Sequence, residues 1–216
     1  METKSAALPE RKRKTRRLTL LAILLCLELL LLFTPLGFVP IGPVNATTLH
    51  LPVILAGILL GPWEGAGLGL VFGLSSLIKN TVAPTITSFV FSPFYSLGEF
   101  QGNGWSVWIA IGPRILLGLL AAFIYRGLKK LLKNGTAAAG ISAAVSTFLH
   151  TFLVMGSIYV FFGREYAAAR DLTQSALLTG IGSVIFVNGL AELGLAALVV
   201  IAVYRISEKR LESMTK

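Results

Sequence analysis

Apolar runs recur along this chain at lengths that suit the hydrocarbon of a bilayer, and turn-forming residues separate them. Six can be placed: about Leu18 to Phe33, Leu49 to Leu60, the stretch after Gly65 to about Ile78, Val107 to Arg126, Ala137 to Phe162, and Leu178 to Tyr204. In lipid each backbone polar group must be satisfied within its own segment, so runs of this composition predict helices. The expected fold is an all-α membrane protein, a six-transmembrane-helix bundle with both termini cytoplasmic. A soluble domain is excluded by the balance of 55% hydrophobic against 13% charged residues.

Charge orients the bundle. Of the 19 basic residues, seven precede Leu18, four lie from Arg126 to Lys133 and four from Arg205 onward, which puts fifteen on one side. The expected organisation is a basic cytoplasmic tail over 1–17, a membrane domain over 18–204 and a cytoplasmic C-terminal tail over 205–216. The net charge of +9 therefore reflects topology and anionic headgroups rather than nucleic acid. The first apolar run leads into Thr34-Pro35-Leu36-Gly37 without a small-x-small cleavage site, so it is expected to stay in the mature chain.

Punctuation between the runs is uneven. Pro35, Gly37, Pro40, Gly42 and Pro43 break the chain after the first run. The second run is short for a crossing, so either its helix starts earlier or the preceding loop dips into the protein. Gly61 to Gly65 makes a tight turn between antiparallel neighbours, and Gly65, Gly67, Gly69 and Gly73 permit close approach along the third run. Residues 79–106 are too apolar for a loop in water, with Phe89, Val90, Phe91, Phe94, Tyr95 and Phe100, and are expected to fold back over the helix ends as a lid or a re-entrant segment.

Ionisable groups at membrane depth need a partner or a function. Arg114 either holds an anionic group of a ligand or pairs with Glu28 or Glu192 to brace the bundle. Asn188 and Glu192 lie one turn apart and give an inward polar stripe, available for site lining or interhelical bonding. Asn45, Thr47, Thr48 and His50 either cap the second helix or orient a small ligand in an apolar cavity. His150, beside Ser146, Thr147 and Thr151, is either a satisfied buried imidazole or a ligand contact. Cys26 cannot form an internal disulfide because it has no partner cysteine.

Several chemistries lack their residues. No Walker lysine loop is present, so direct ATP binding is not expected, and neither a His-Glu-x-x-His helix nor a cysteine pair suggests a metal. No cofactor is expected. Gly73-Leu74-Ser75-Ser76 with His150 as base is the nearest approach to an intramembrane serine protease, a remote alternative. Ser75 and Ser76 are more economically small packing or cavity residues. The absence of matching halves weakens a self-sufficient secondary carrier.

Two blocks carry a resemblance. Pro35-Leu36-Gly37-Phe38-Val39-Pro40-Ile41 with Ala46-Thr47-Thr48-Leu49-His50-Leu51-Pro52-Val53-Ile54 and the following Ala56 to Pro62, and Gly112-Pro113-Arg114-Ile115-Leu116-Leu117-Gly118, resemble the substrate-binding S component of energy-coupling factor (ECF) vitamin transporters. The pantothenate-type members are the nearest match. The resemblance implies a multi-pass subunit of a bacterial cell membrane that captures a vitamin near the outer face under a lid formed by loops. It also implies a transmembrane coupling subunit and two cytoplasmic ATPases as partners. Docking on the coupling subunit in this family uses an Ala-x-x-x-Ala face, to which Ala22 and Cys26 correspond, with cysteine replacing the second alanine. A pantothenate-like ligand has one carboxylate, one amide and two hydroxyls. Arg114 is then the candidate for the carboxylate, Asn45, Thr48, His50 and Asn188 for the amide and hydroxyls, His150 for a further contact, and Phe91, Phe94 and Tyr95 for the lid. Riboflavin or folate remain alternatives, riboflavin asking instead for a flat aromatic-lined cavity.

Overall fold

The computed structural model describes residues 10–41 and 44–213. Helix α1 spans Glu10–Phe33 and is followed by a short hairpin of β1, Phe38–Ile41, and β2, Val44–Thr47. Helix α2 spans His50–Leu59 and α3 spans Pro62–Val82. A second small ladder pairs β3, Ser96–Leu97, with β4, Phe100–Gln101, before α4, Gly104–Leu132. Helix α5 covers Gly135–Ala168. The last helical stretch is α6, Gln174–Ser183, joined through a π-helical turn at Val184–Asn188 to α7, Gly189–Ser213.

The chain is helical as its apolar runs predict, and Gly104–Leu132, Gly135–Ala168 and Ser175–Ser207 are each long and apolar enough to cross a membrane. Two departures are local. Helix α1 begins at Glu10 rather than Leu18, so the basic cluster is helical, and Thr15 and Thr19 each return a hydroxyl to the carbonyl four residues back at 3.0 Å. The proline-rich loop after α1 is not irregular but pairs antiparallel, Phe38 opposite Thr47 and Ile41 opposite Val44.

Helix α2 does not start earlier than His50, and at ten residues it rises only about 15 Å. Every residue from His50 to Ile58 is buried, which makes α2 the centre of the bundle rather than a lipid-facing span. Around it pack Leu117 and Ala121 of α4, Ala139 and Ala143 of α5, and Ala196 and Val200 of α7. Small residues recur at these contacts because helices surrounding a central one must approach closely.

Helices α3 and α4 touch backbone to backbone. A Cβ at Gly69 would fall on the carbonyl oxygen of Arg114, one at Gly73 would meet Ile111 Cα at 2.8 Å, and one at Gly65 would meet the Gly118 carbonyl oxygen at 2.8 Å. The spacing of four keeps these three glycines on one face. Gly67 points elsewhere and meets nothing within 4 Å, so it is no part of the close approach. At the turn into α3, Gly61 takes φ +135°, a value open to glycine, and reverses the chain within a few residues.

The segment after α3 folds back over the bundle. Phe89 and Val90 are fully buried and join Ile109 of α4 with Val154, Ile158 and Phe162 of α5 in a second apolar cluster. Phe89 meets Phe162 edge-on at 5.9 Å, where α5 breaks its helical dihedrals. Polar bonds fix the same segment. The Ser88 hydroxyl donates to Asn80 Oδ1 at 2.7 Å, and the Ser106 hydroxyl, at the start of α4, donates to the Phe89 carbonyl at 2.7 Å.

Candidate functional site

Between α3, α4, α5, the β2 end of the first hairpin and the π turn lies a cavity of about 400 Å³. Each helix supplies a stripe at helical spacing. Phe72, Ser76, Lys79 and Asn80 come from α3, Ala83 from just past its end, and His150, Thr151, Val154 and Met155 from α5. Val184, Asn188 and Glu192 line it at successive turns of the last helix. Helix α4 contributes Arg114, Leu32 of α1 and Leu49 line part of the wall, and Thr85 and Phe91 come from the folded-back segment.

Arg114 owes its place to three local features. Gly69 lets α3 lie on its backbone, which brings Phe72, one turn on, beside its guanidinium, with Cζ 5.4 Å from the Phe72 ring centroid. Phe91 approaches the same guanidinium at 5.6 Å, so the folded-back segment meets the charge directly. One terminal nitrogen, Nη1, donates to the carbonyl oxygen of Ile109, within α4 itself. The bracing role open in the sequence is not taken up, since neither Glu28 nor Glu192 forms an ion pair with Arg114. Glu28 is instead buried in α1, 2% exposed, with both carboxylate oxygens unpartnered.

Glu192 has another task. Its Oε1 accepts from both the backbone N–H and the hydroxyl of Thr47, each at 2.8 Å, and so ties the first hairpin to α7. A carboxylate thus lines the cavity already bonded to the hairpin.

Of the residues singled out from sequence, Arg114, His150 and Asn188 come together on the cavity wall. Thr48 is buried and spends its hydroxyl on the Leu36 carbonyl at 2.8 Å, which closes the loop after α1. His50 is buried at the start of α2, both ring nitrogens unpartnered, and does not line the cavity. Phe94 is 78% exposed and Tyr95 packs partly buried against the Phe89 cluster, so Phe91 is the aromatic of this segment that reaches the cavity. Asn45 falls on β2, and its side chain lies outside the described residues. Ala22 and Cys26 are both exposed on one side of α1, one turn apart. Ser76 lines the cavity while Ser75 does not.

Phe72, Asn80 and Thr151 were not singled out. Their signal was present as spacing, because Phe72, Ser76 and Asn80 recur every four residues on the glycine-bearing helix. Among the described residues no group of three or more His, Cys, Asp or Glu is placed to hold a metal.

A helical membrane bundle that encloses a cavity of this size, lined by apolar side chains interleaved with convergent polar groups, belongs to the class that binds small solutes between its helices. The profile of the family described as "ECF transporter, substrate-specific component" matches residues 16–204. The chain is also 40% identical over 162 residues to the pantothenic acid transporter PanT of Lactococcus lactis subsp. cremoris (strain MG1363), covering 74% of this chain and 76% of that protein. The chain belongs to the substrate-specific components of ECF transporters, and is a multi-pass protein of a bacterial cell membrane.

Proposed function

We propose that this subunit captures pantothenate in the cavity beside Arg114 and hands it inward with the help of other proteins. The observation that carries the reading is the buried guanidinium of Arg114 on the cavity wall, with amide, hydroxyl and imidazole groups of Asn188, Asn80, Thr151 and His150 around the same space and Lys79 as a second cation in the lining. Pantothenate offers one carboxylate for the guanidinium and one amide and two hydroxyls for the rest. The relative PanT carries the same ligand in its name. Thr48 holds the loop after α1 through the Leu36 carbonyl and His50 is buried at the start of α2, so both act on the ligand through the elements they sit in. Asn45 is kept as a candidate for the ligand's polar groups, and Phe94 and Tyr95 belong to the covering segment whose inner face is Phe91.

In the same reading the bundle spans the membrane six times with α2 as the short central crossing, and both termini are cytoplasmic, which the charge asymmetry supports. Ala22 and Cys26 form the face that meets a transmembrane coupling subunit, and two cytoplasmic ATPases supply the energy that this chain has no nucleotide loop to gather.

Titration of the purified protein with pantothenate in a calorimeter tests the ligand. Saturable heat with pantothenate and none with riboflavin or folate is expected, and heat with another vitamin instead would reassign the site. Proteoliposomes test the partners: accumulation by this chain alone on an ion gradient would overturn the need for an ATPase module.

A further inference from the structure

Arg114 follows a proline, and the two residues meet at one carbonyl group. In an α-helix the carbonyl of Ile109 accepts the N–H of residue 113, four positions on. Position 113 is Pro113, inside α4 and buried, and it has no N–H to give. Ile109 is itself fully buried, so its carbonyl cannot turn to water for a partner. The group that takes it is Arg114 Nη1.

We infer that Pro113 is a positioning residue for ligand recognition: by withholding an N–H from the Ile109 carbonyl it reserves that oxygen for Arg114, and so fixes the direction in which the rest of the guanidinium faces the cavity. Phe72 and Phe91, with ring centroids 5.4 and 5.6 Å from Cζ, restrict the same side chain. A guanidinium is planar, so one terminal nitrogen held by a backbone carbonyl sets the plane in which the others can meet a carboxylate. Restored helical bonding at position 113 would share or displace this anchor and leave the charge in place but misaimed. The proposal rests on the reading of Arg114 as the carboxylate anchor.

The test compares pantothenate with pantothenol, in which a hydroxymethyl group replaces the carboxylate, by calorimetry on the purified protein. The variants are Pro113→Ala, Arg114→Gln, and the α-hydroxy counterpart of alanine at position 113, whose ester linkage again lacks the N–H but has no proline ring. Pro113→Ala is expected to weaken pantothenate about tenfold and pantothenol less than about twofold, with an unchanged detergent elution profile. The α-hydroxy counterpart is expected to return the preference for pantothenate to within about twofold of the parent.

Equal loss of both ligands in Pro113→Ala, no loss of either, or identical behaviour of the alanine and α-hydroxy variants would each overturn the positioning role, because ring shape or nothing would then be the cause. Arg114→Gln reports on the underlying reading by itself. If it leaves the pantothenate-to-pantothenol ratio unchanged, the carboxylate is held elsewhere, and if the parent protein binds no pantothenate, both readings fall.

Discussion

Thr47 and Glu192, 145 positions apart in the chain, share one oxygen: Glu192 Oε1 accepts both the backbone N–H and the hydroxyl of Thr47 at 2.8 Å. The pair joins the first hairpin to the last helix at the cavity wall, so the loop after α1 and the turn carrying Asn188 are held together. Charge-assisted bonds of this kind contribute about 1.5–3 kcal/mol each when partly buried. Glu192→Ala is expected to speed proteolysis at the hairpin and to weaken ligand binding by tenfold or more, whereas Glu192→Gln keeps an acceptor oxygen and should lose less. Limited proteolysis with and without ligand separates the two, and equal cleavage of both variants and the parent would remove the tie from the account.

Replacement of Arg114 by lysine tests shape against charge. Lysine keeps the positive charge but has one nitrogen, which cannot serve the Ile109 carbonyl and a ligand carboxylate in one plane. Arg114→Lys is expected to bind pantothenate at least about tenfold more weakly than the parent, and Arg114→Gln more weakly still. Calorimetric affinities check the order, and parent-like binding by the lysine variant would reduce Arg114 to a point charge.

The α3 to α4 contact makes opposite demands on two glycines two residues apart. Gly69→Ala places a methyl group on the Arg114 carbonyl oxygen, so the helices must separate at a cost of about 1–3 kcal/mol and the site shifts with them. Gly67→Ala meets nothing within 4 Å and should be neutral or stabilising by up to about 1 kcal/mol through helix propensity. Thermal unfolding in detergent is the measurement, and a neutral Gly69→Ala would show that the contact yields.

Ala22 and Cys26 are exposed and one turn apart on α1, away from the cavity. Ala22→Trp is expected to leave calorimetric binding of the vitamin unchanged and to abolish uptake in proteoliposomes that contain the coupling subunit and ATPases. A maleimide reagent should label Cys26 in the isolated subunit and be excluded in the complex. Labelling at the same rate in both would move the docking face elsewhere.

The membrane class and the helical runs were legible in the chain because they depend on a local quantity, hydropathy over about twenty residues. Helix ends were less so, as α1 shows by carrying its helix through the basic cluster to Glu10. The hairpin at Phe38–Thr47 escaped notice because its pairing depends on what it is docked against, here Glu192 of a distant helix. Residues of the cavity wall were legible where polarity at membrane depth was itself abnormal, as at Arg114, His150 and Asn188. Phe91 was legible only as one of three lid candidates beside Phe94 and Tyr95, and Phe72 not at all, since an apolar ring looks the same in sequence whether it faces lipid, core or a guanidinium.

The sequence by itself determined that this chain lives in a bilayer and that a few buried polar groups need a task, because burying charge in hydrocarbon is costly wherever it happens. Only the tertiary structure decided which task each received. Glu192 went to the hairpin, Arg114 went to the cavity, and α2 became the buried centre rather than an outer span. Those outcomes depend on which backbones approach closely enough to touch, and that is settled between helices, at Gly69 against Arg114, rather than within any one of them.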